Sequence, residues 1–137
     1  MTSLVVDASV ALAWCFEDEA SPASDAVLDL VKSDGAIVPS LWHLELANVL
    51  LQAERRGRTI LGGLVARLEL LDQLPIATDA ETRGRAWREI LAVARSERLT
   101  TYDAAYLELA VRHGLLLATR DGALRGAAQR VGVAVLP

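Results

Sequence analysis

Cysteine and histidine are scarce in this chain of 137 residues, and their scarcity excludes several kinds of site. Cys15 is the only cysteine, which rules out an internal disulfide and a cysteine-rich zinc site. His43 and His113 are too far apart for a zinc-binding pair, and neither lies near Cys15 as the partner of a catalytic thiol would. We therefore expect Cys15 to be a small core residue.

Long hydrophobic runs, repeats and linkers are also missing. Although 53% of the residues are apolar, no run approaches the roughly 20 residues that a membrane-spanning helix needs. The first residues, 1–3, lack the basic start and the cleavage site of a signal peptide. These features predict one cytoplasmic domain over residues 1–137, without membrane association and with a substantial core.

Positive charge is limited as well. The net charge is −4, and Lys32 is the only lysine among 14 basic residues. This balance disfavours a protein that coats nucleic acid non-specifically, but it permits a nuclease whose acidic residues are concentrated in a metal pocket. Arginine clusters at residues 55–58 and 83–88 are typical either of solvated helix faces or of phosphate contacts.

Short apolar runs alternate with longer helical segments along the chain. Strands are predicted at 4–6, 36–38, 75–77, 116–118 and 133–136, and helices at 8–16, 24–32, 41–56, 60–72, 80–98, 104–113 and 121–130. The strand runs are apolar throughout, as expected when both faces of a sheet are covered. The alternation indicates an α/β sandwich with a mainly parallel sheet, in which ligands bind beyond the carboxyl ends of the strands.

Four acidic residues carry the strongest functional signal. Asp7 and Asp121 follow predicted strands, Asp103 opens a predicted helix, and Glu45 shares a largely apolar helix stripe with Leu41. Each has a structural alternative, because the three aspartates stand where helix N-caps occur and Glu45 could extend to solvent. Carboxylates brought together repel one another unless a cation lies among them. The set therefore predicts a divalent metal site and metal-assisted phosphodiester cleavage.

Several polar and aromatic residues have two open interpretations. Ser9 is either an ordinary residue of a first helical turn or a group that orients a ligand, and Asn48, one turn after Glu45, could position Glu45 or a water. The acidic residues 17–19 suit a solvated loop or a secondary metal or RNA site. For the three tryptophans, core or subunit contact is favoured over base stacking: Trp14, Trp42 and Trp87.

The acids fall within four segments that resemble the successive motifs of PIN domains, most closely those of VapC-type toxins from bacterial toxin–antitoxin pairs. The segments are residues 5–9, 39–48, 101–106 and 118–124. Each motif is short, but four of them in the right order in an α/β chain of this size are specific. The resemblance covers essentially the whole chain.

This resemblance implies a magnesium- or manganese-dependent endoribonuclease with a three-layer α/β/α fold and a five-stranded parallel sheet. It also implies homodimers, and inhibition by a small cognate antitoxin that commonly binds DNA through its other half. The residues that match the family's site are the acidic quartet Asp7, Glu45, Asp103 and Asp121, the supporting hydroxyl Thr119, and the polar neighbours Ser9 and Asn48.

The resulting hypothesis is hydrolysis of RNA by a metal-activated water. Asp7, Asp103 and Asp121 would hold one or two Mg²⁺ ions directly or through water, with Glu45 as a further ligand or as the group that orients the attacking water. The products would carry 5′-phosphate and 3′-hydroxyl ends. A basic side chain of an antitoxin could replace the cation, and its apolar anchors would need a helix-lined groove near residues such as Trp14, Trp42 and Leu46.

Two other functions stay open on the sequence. One is a magnesium-dependent phosphatase with Asp7 as nucleophile, although the second acid that such enzymes often have two residues later is Ser9 here. The other is a non-enzymatic module that binds RNA or a partner. The sequence does not name the RNA target, because recognition of RNA depends on shape and loops as much as on sequence.

Overall fold

A computed structural model describes residues 4–137, so the signal-peptide expectation for residues 1–3 lies outside the described part. Five strands form its centre: β1 (Leu4–Val6), β2 (Ala36–Val38), β3 (Ile76–Thr78), β4 (Leu116–Ala118) and β5 (Val135–Leu136). They pair in the order β3-β2-β1-β4-β5, and every pairing is parallel. All three residues of β1, the central strand, are fully buried, which explains why this strand is apolar throughout.

Helices complete the three-layer α/β/α sandwich that was expected. They are α1 (Ala8–Cys15), α2 (Pro22–Asp34), α3 (Trp42–Arg55), α4 (Leu61–Asp72), α5 (Thr82–Arg85), α6 (Leu91–Glu97), α7 (Thr101–His113) and α8 (Gly122–Arg130). In one group α1 packs on α2 and α3, and α3 packs on α4; in the other, α7 packs on α6 and α8. None of the helices within residues 4–137 combines the length and the apolar character needed to cross a bilayer.

The strand order places a switch in chain direction between β1 and β4. From β1 the chain proceeds to β2 and β3 on one side, and then returns to form β4 and β5 on the other. At this switch the backbone N–H of Asp7 donates a hydrogen bond to the carbonyl of Ala118, with an N···O distance of 2.9 Å. Switch points of this kind open a crevice at the carboxyl ends of the strands, where α/β proteins bind their ligands.

Two helices begin earlier than the apolar periodicity predicted, because each starts at a polar cap that precedes the first apolar residues. Helix α7 begins at Thr101 rather than at 104, since the Thr100 side chain accepts the N–H of Asp103 at 3.1 Å. Asp103 therefore lies inside the first turn. Helix α2 begins at Pro22 rather than at 24, since Ser21 forms a reciprocal capping box with Ser24 and proline suits the first helical position.

The predicted helix over residues 80–98 is confirmed in its course, but it starts later and contains a π-helical turn. The N–H of Asp79 still bonds to the carbonyl of Val38 at 2.8 Å, so the strand-like connection continues past β3 and helix α5 starts only at Thr82. A π-helical segment, Ala86–Ile90, then separates α5 from α6. Helix α6 ends at Glu97, so helical turns run without a break from Thr82 to Glu97.

Strand ends shift for reasons of hydrogen bonding. Strand β3 starts at Ile76 rather than at the predicted Pro75, which has no N–H to donate to a sheet. Strand β5 omits Val133, because the N–H of that residue closes α8 by bonding to the carbonyl of Ala128 at 2.9 Å. The remaining helices differ from prediction by one residue at one or both ends: α1, α3, α4 and α8.

Burial confirms the predicted core positions of Cys15 and Trp42 and contradicts that of Trp87. Cys15 and Trp42 are buried, as expected for small or aromatic core residues. Trp87 is 90% exposed, so the core interpretation is wrong for this residue. Its place in the π-helical segment turns the ring away from the buried Ile90.

Candidate active site

The end of the central strand positions Asp7 and buries its carboxylate. Only 5% of the residue is exposed, and Oδ2 accepts hydrogen bonds from Ser9 Oγ at 2.8 Å and from Thr119 Oγ1 at 2.7 Å. Asp7 stands at the N-cap position of α1 without a full side-chain capping bond, although the backbone N–H of Ser9 in the first turn also lowers the pKa of its carboxyl. Burial raises the pKa of Asp7 above its usual value, although the two hydroxyls oppose that rise.

The same two hydroxyls connect β1 to the segment after β4. Thr119 Oγ1 accepts the N–H of Asp121 at 3.0 Å, and Ser9 Oγ accepts the N–H of Arg120 at 2.9 Å. Thr119 is fully buried, so its hydroxyl bonds to the Asp7 carboxylate and to the backbone N–H of Asp121 without competition from solvent. Ser9 and Thr119, which the sequence marked as supporting residues, are therefore placed directly on Asp7.

Asp121 combines a capping bond with a place at the site. Its Oδ2 accepts the N–H of Leu124 at 2.8 Å, so the capping interpretation is confirmed for Asp121. A carboxylate has two oxygens and several lone pairs, so this bond leaves acceptor capacity for a ligand. The negative charge of Asp121 also raises the pKa of both Asp7 and Asp103, which places it close to these two acids.

Asp103 projects from the first turn of α7 and is half-buried. Thr100 is the cap of this helix, so the Asp103 carboxylate is free for another task. Its pKa is raised to about 6, mainly by burial and further by the charges of Asp121 and Asp7. With a pKa of about 6 the carboxyl is mostly deprotonated at pH 7, so a cation can bind it with little competition from protons.

Glu45 reaches the site from the first turn of α3. The hydroxyl of Tyr106 donates a short hydrogen bond to Oε1 of Glu45, so the carboxylate is held rather than extended to solvent. Burial raises the pKa of Glu45, and the charges of Asp7 and Asp103 raise it further, against the lowering effect of the Tyr106 bond. Asn48 is exposed and forms no hydrogen bond to Glu45, so the positioning expected of Asn48 belongs to Tyr106.

Tyr106 is the site residue that sequence reasoning missed. It is fully buried, and burial together with the nearby Glu45 raises its pKa, so the phenol stays protonated and acts as a donor. One signal was available in the sequence: Tyr106 follows Asp103 by three positions, which puts both side chains on one face of α7. The partner of Tyr106 lies 61 residues away and carries no such signal.

The four predicted acids thus share one edge of the sheet and lack compensating positive charge. Within residues 4–137, no arginine or lysine forms an ion pair with any of them: Asp7, Glu45, Asp103 and Asp121. Two other buried acids differ sharply, because Arg112 pairs with Asp79 at 2.7 Å and with Glu108 at 3.0 Å. Uncompensated carboxylates in one place raise each other's pKa and attract cations.

The chemistry of the donors fits Mg²⁺ or Mn²⁺. All candidate ligands are carboxylate or hydroxyl oxygens, which hard divalent ions prefer over nitrogen and sulfur. Among the described residues, no three acidic, histidine or cysteine side chains converge closely enough to hold an ion without help. Mg²⁺ usually keeps several water ligands, so Asp7, Asp103 and Asp121 are suited to a partly hydrated ion.

The acidic residues 17–19 lie in a 3₁₀ turn and have local partners. Arg58 pairs with Asp18 at 2.7 Å and with Glu19 at 2.9 Å, and its guanidinium lies 3.9 Å from the centre of the Phe16 ring. This arrangement favours the solvated-loop interpretation over a second metal site. Arg58, a member of the arginine cluster at residues 55–58, therefore has a structural role.

The PIN domain family matches residues 4–129, so the chain belongs to the PIN domain family. Solved structures are similar over nearly the whole chain. PAE2754 from Pyrobaculum aerophilum aligns with a TM-score of 0.72 and 25% identity, covering 98% of this chain and 83% of that one. FitAcB from Neisseria gonorrhoeae aligns with a TM-score of 0.56 and 20% identity, covering 98% and 96%.

A third similar structure is VapBC2 from Rickettsia felis, bound to a DNA fragment from their promoter. It aligns with a TM-score of 0.65 and 10% identity, covering 98% of this chain and 97% of that one. No curated protein matches the chain in sequence. The resemblance to PIN domains that was found in the sequence motifs is thus confirmed at the level of family and fold.

Proposed function

We propose that this chain is a Mg²⁺- or Mn²⁺-dependent endoribonuclease that acts in the cytoplasm as the toxin of a type II toxin–antitoxin pair, with residues 1–137 as one domain. The supporting observation is the group of four uncompensated carboxylates at the switch point of the sheet. Membership in the PIN domain family adds to it, since PIN domains are generally metal-dependent nucleases.

The residues divide into ligands and positioning groups. Asp7, Asp103 and Asp121 hold one or two ions directly or through water. A bound ion supplies positive charge for the reacting phosphate and lowers the pKa of a water to near neutrality. Ser9 and Thr119 fix the Asp7 carboxylate in one orientation, so little reorganisation is needed when the ion binds.

Glu45 is the group best placed to act on the attacking water. Its raised pKa lies closer to working pH than that of an ordinary glutamate, which favours proton transfer, and Tyr106 restricts its orientation. Attack by water leaves 5′-phosphate and 3′-hydroxyl ends. A 2′,3′-cyclic phosphate end would instead indicate attack by the 2′-hydroxyl of the RNA and would exclude this mechanism.

The buried state of Asp7 disfavours the phosphatase alternative. A nucleophilic carboxylate must reach the substrate phosphorus, yet Asp7 is only 5% exposed and its Oδ2 is occupied by two hydroxyl donors. The position two residues later is Ser9, whose hydroxyl donates to Asp7 and supplies no second acid. The silent binding module is disfavoured by the uncompensated acids, which binding alone does not require.

An apolar groove supports the proposal of an antitoxin partner. Trp42 and Leu46, two of the expected contacts, line a cavity of about 390 Å³ between α3 and α4, together with Leu68. The indole N–H of Trp42 is buried and has no acceptor among the described residues. Trp14 lines a separate cavity of about 170 Å³ beside Arg67.

The similar structures are consistent with such a partner, since VapBC2 is bound to a DNA fragment from their promoter and FitAB to the IR36 DNA fragment. We further propose that this chain forms a homodimer. Light scattering of the purified chain, alone and with the protein encoded beside it, tests both statements: a monomer mass contradicts the dimer, and no shift on mixing contradicts the partner.

The deciding experiment is cleavage of a total small-RNA pool by purified, antitoxin-free protein in Mg²⁺, Mn²⁺ or EDTA. We expect discrete cuts that need metal and that disappear in Asp103→Asn, with Asp34→Asn, an exposed acid outside the site, cleaving like wild type. End-labelling of the products identifies the 5′-phosphate. Cuts that persist in EDTA or in Asp103→Asn would rule out the proposed site.

A further inference from the structure

The helical segment 82–98 presents an unusual outer face. Its inner face is buried through Thr82, Ile90 and Ala94, whereas Trp87 on the outside is 90% exposed and Leu91, one turn later, is 42% exposed. The indole of Trp87 therefore stands in water, where its aromatic face is available to stack on a ligand.

Residues 83–98 carry a net positive charge, whereas the whole chain is net negative. Residues 83–98 contain five arginines and two glutamates, although the whole chain has a net charge of −4. Both glutamates are neutralised within the protein, Glu89 by Arg85 and Glu97 by Arg130. Four arginines of the segment form no ion pair with any described residue: Arg83, Arg88, Arg95 and Arg98.

Arg98 occupies a backbone position that does not suit arginine. It ends α6 in the left-handed conformation with φ = 56°, and no other non-glycine residue of the described chain has a positive φ. The other positive-φ positions are glycines, as expected for a conformation in which a Cβ atom is unfavourable. The presence of arginine here indicates that its side chain contributes something other than stability of the helix end.

The outer face lies beside the candidate active site. Ile90 and Ala94 pack against Ala104 and Ala105, which directly follow Asp103 in the first turns of α7. The inner face of the segment therefore packs on the first turns of α7, the helix that carries Asp103. Arg98 is joined to α7 by Leu99 and by Thr100, the cap that bonds to the N–H of Asp103.

We propose that the outer face of residues 83–98 binds single-stranded RNA and directs it toward Asp103. Trp87 stacks on a base, and the unpaired arginines contact successive phosphates, in the manner by which aromatic and basic side chains together bind single strands. This proposal rests on the ribonuclease function proposed above, for which it names the substrate path. A second copy of the chain is a less suitable occupant, because it would bring the same uncompensated arginines into contact with one another.

Binding and cleavage are measured separately to test this proposal. The probe is a fluorescein-labelled 20-nucleotide poly-uridine RNA, and anisotropy is recorded between 50 and 300 mM KCl in EDTA, where no metal-dependent cleavage occurs. The variants are Trp87→Ala, Trp87→Phe, Arg95→Ala and Arg98→Gly. Lys32→Ala is the matched control, because Lys32 is an exposed cation at the end of α2, just before the amino-terminal end of β2.

We expect Trp87→Ala to weaken binding about tenfold and Trp87→Phe to restore most of it, because any aromatic ring can stack. Arg95→Ala and Arg98→Gly should each flatten the slope of log K against log[salt] by about 0.7, which is the effect of one lost phosphate contact on a single strand. Arg98→Gly should do so with a melting temperature at or above wild type, since glycine suits the left-handed position. Lys32→Ala should change neither quantity.

The proposal is overturned if Trp87→Ala and Arg98→Gly bind the probe as wild type does. It is also overturned if Trp87→Ala halves the molar mass in light scattering while RNA binding is unchanged, because Trp87 would then belong to a subunit interface. Failure of the ribonuclease function gives a different result. If the wild type cleaves no RNA but still binds the probe, and the variants bind it more weakly, the RNA-binding surface is supported and the catalytic proposal is contradicted.

Discussion

The hydroxyl of Tyr106 donates a hydrogen bond to Oε1 of Glu45, and this bond joins α7 to α3 across 61 residues of sequence. Tyr106 is fully buried, so its hydroxyl has no access to water and depends on this carboxylate. The bond lowers the pKa of Glu45, which burial and two neighbouring acids raise. One buried phenol therefore sets both the orientation and the proton affinity of the acid assigned to the attacking water.

Replacing Tyr106 by Phe tests this positioning role. Without the donor, the pKa of Glu45 rises further, so the acidic limb of the pH–rate profile should move to higher pH. Loss of the fixed orientation of Glu45 should lower the rate by about tenfold. We expect a stability loss of about 1–2 kcal/mol in urea denaturation, as for other hydrogen bonds to charged groups. The exposed Tyr102→Phe is the control. A lower stability with an unmoved pH profile would reduce Tyr106 to a packing residue.

Asp103→Asn should stabilise the metal-free protein at neutral pH. The folded-state pKa of Asp103 is about 6 against an ordinary 3.8, so the folded protein binds the extra proton between these values and loses that stabilisation as pH rises through the window. At pH 7 the variant removes the cost of burying the charge and its repulsion by Asp121 and Asp7, together worth about 1 kcal/mol after allowance for solvent screening of a half-exposed group. Thermal melts in EDTA at pH 4 and pH 7 measure the difference.

The same melts repeated with Mn²⁺ separate repulsion from metal binding. Wild type at pH 7 should gain stability on addition of Mn²⁺, by about 2.7 kcal/mol at a hundredfold excess over Kd, and should gain less at pH 5 because protons compete for the carboxylates. Asp103→Asn should lose most of this gain, whereas the exposed Asp25→Asn should keep it. Equal gains in the two variants would place the ion elsewhere.

Thr119→Val should disturb the site without changing its shape. Valine keeps the volume of threonine but removes the donor to Asp7 and the acceptor for the N–H of Asp121. Both groups are in poor contact with water, so we expect a stability loss of about 1–3 kcal/mol and a marked loss of metal-dependent cleavage. Thr119→Ser, which retains the hydroxyl, should restore both. If serine behaves like valine in cleavage assays, the hydroxyl is not the important feature.

Arg112 neutralises two buried acids outside the candidate site, Asp79 and Glu108. Arg112→Met leaves Asp79 and Glu108 buried without their main partner, and we expect a loss of about 3–5 kcal/mol, as for other broken buried ion pairs. Adding Asp79→Asn and Glu108→Gln to Arg112→Met should recover part of the loss, which chemical denaturation would show. Equal stability of Arg112→Met and the exposed Arg56→Met would contradict this account.

Much of the fold was predictable because its signals are local. Each strand is a short apolar run, and the end of such a run marks the sheet edge where Asp7 and Asp121 lie. The caps at Thr100 and Asp121 are likewise local, since a side-chain oxygen bonds to an N–H three residues later. The π-helical segment 86–90 had no such signal, so the predicted helix over this region did not include a π turn.

The sequence by itself determined the alternation of strands and helices, the types of chemical group present and the positions of four acids at the ends of elements. The tertiary structure alone decided which groups meet: Thr119 and Asp7, Tyr106 and Glu45, Arg112 and Asp79. The reason is physical. Local structure follows from backbone hydrogen bonds within a few residues, whereas burial, repulsion between carboxylates and their pKa values depend on distances that exist only after the sheet has assembled.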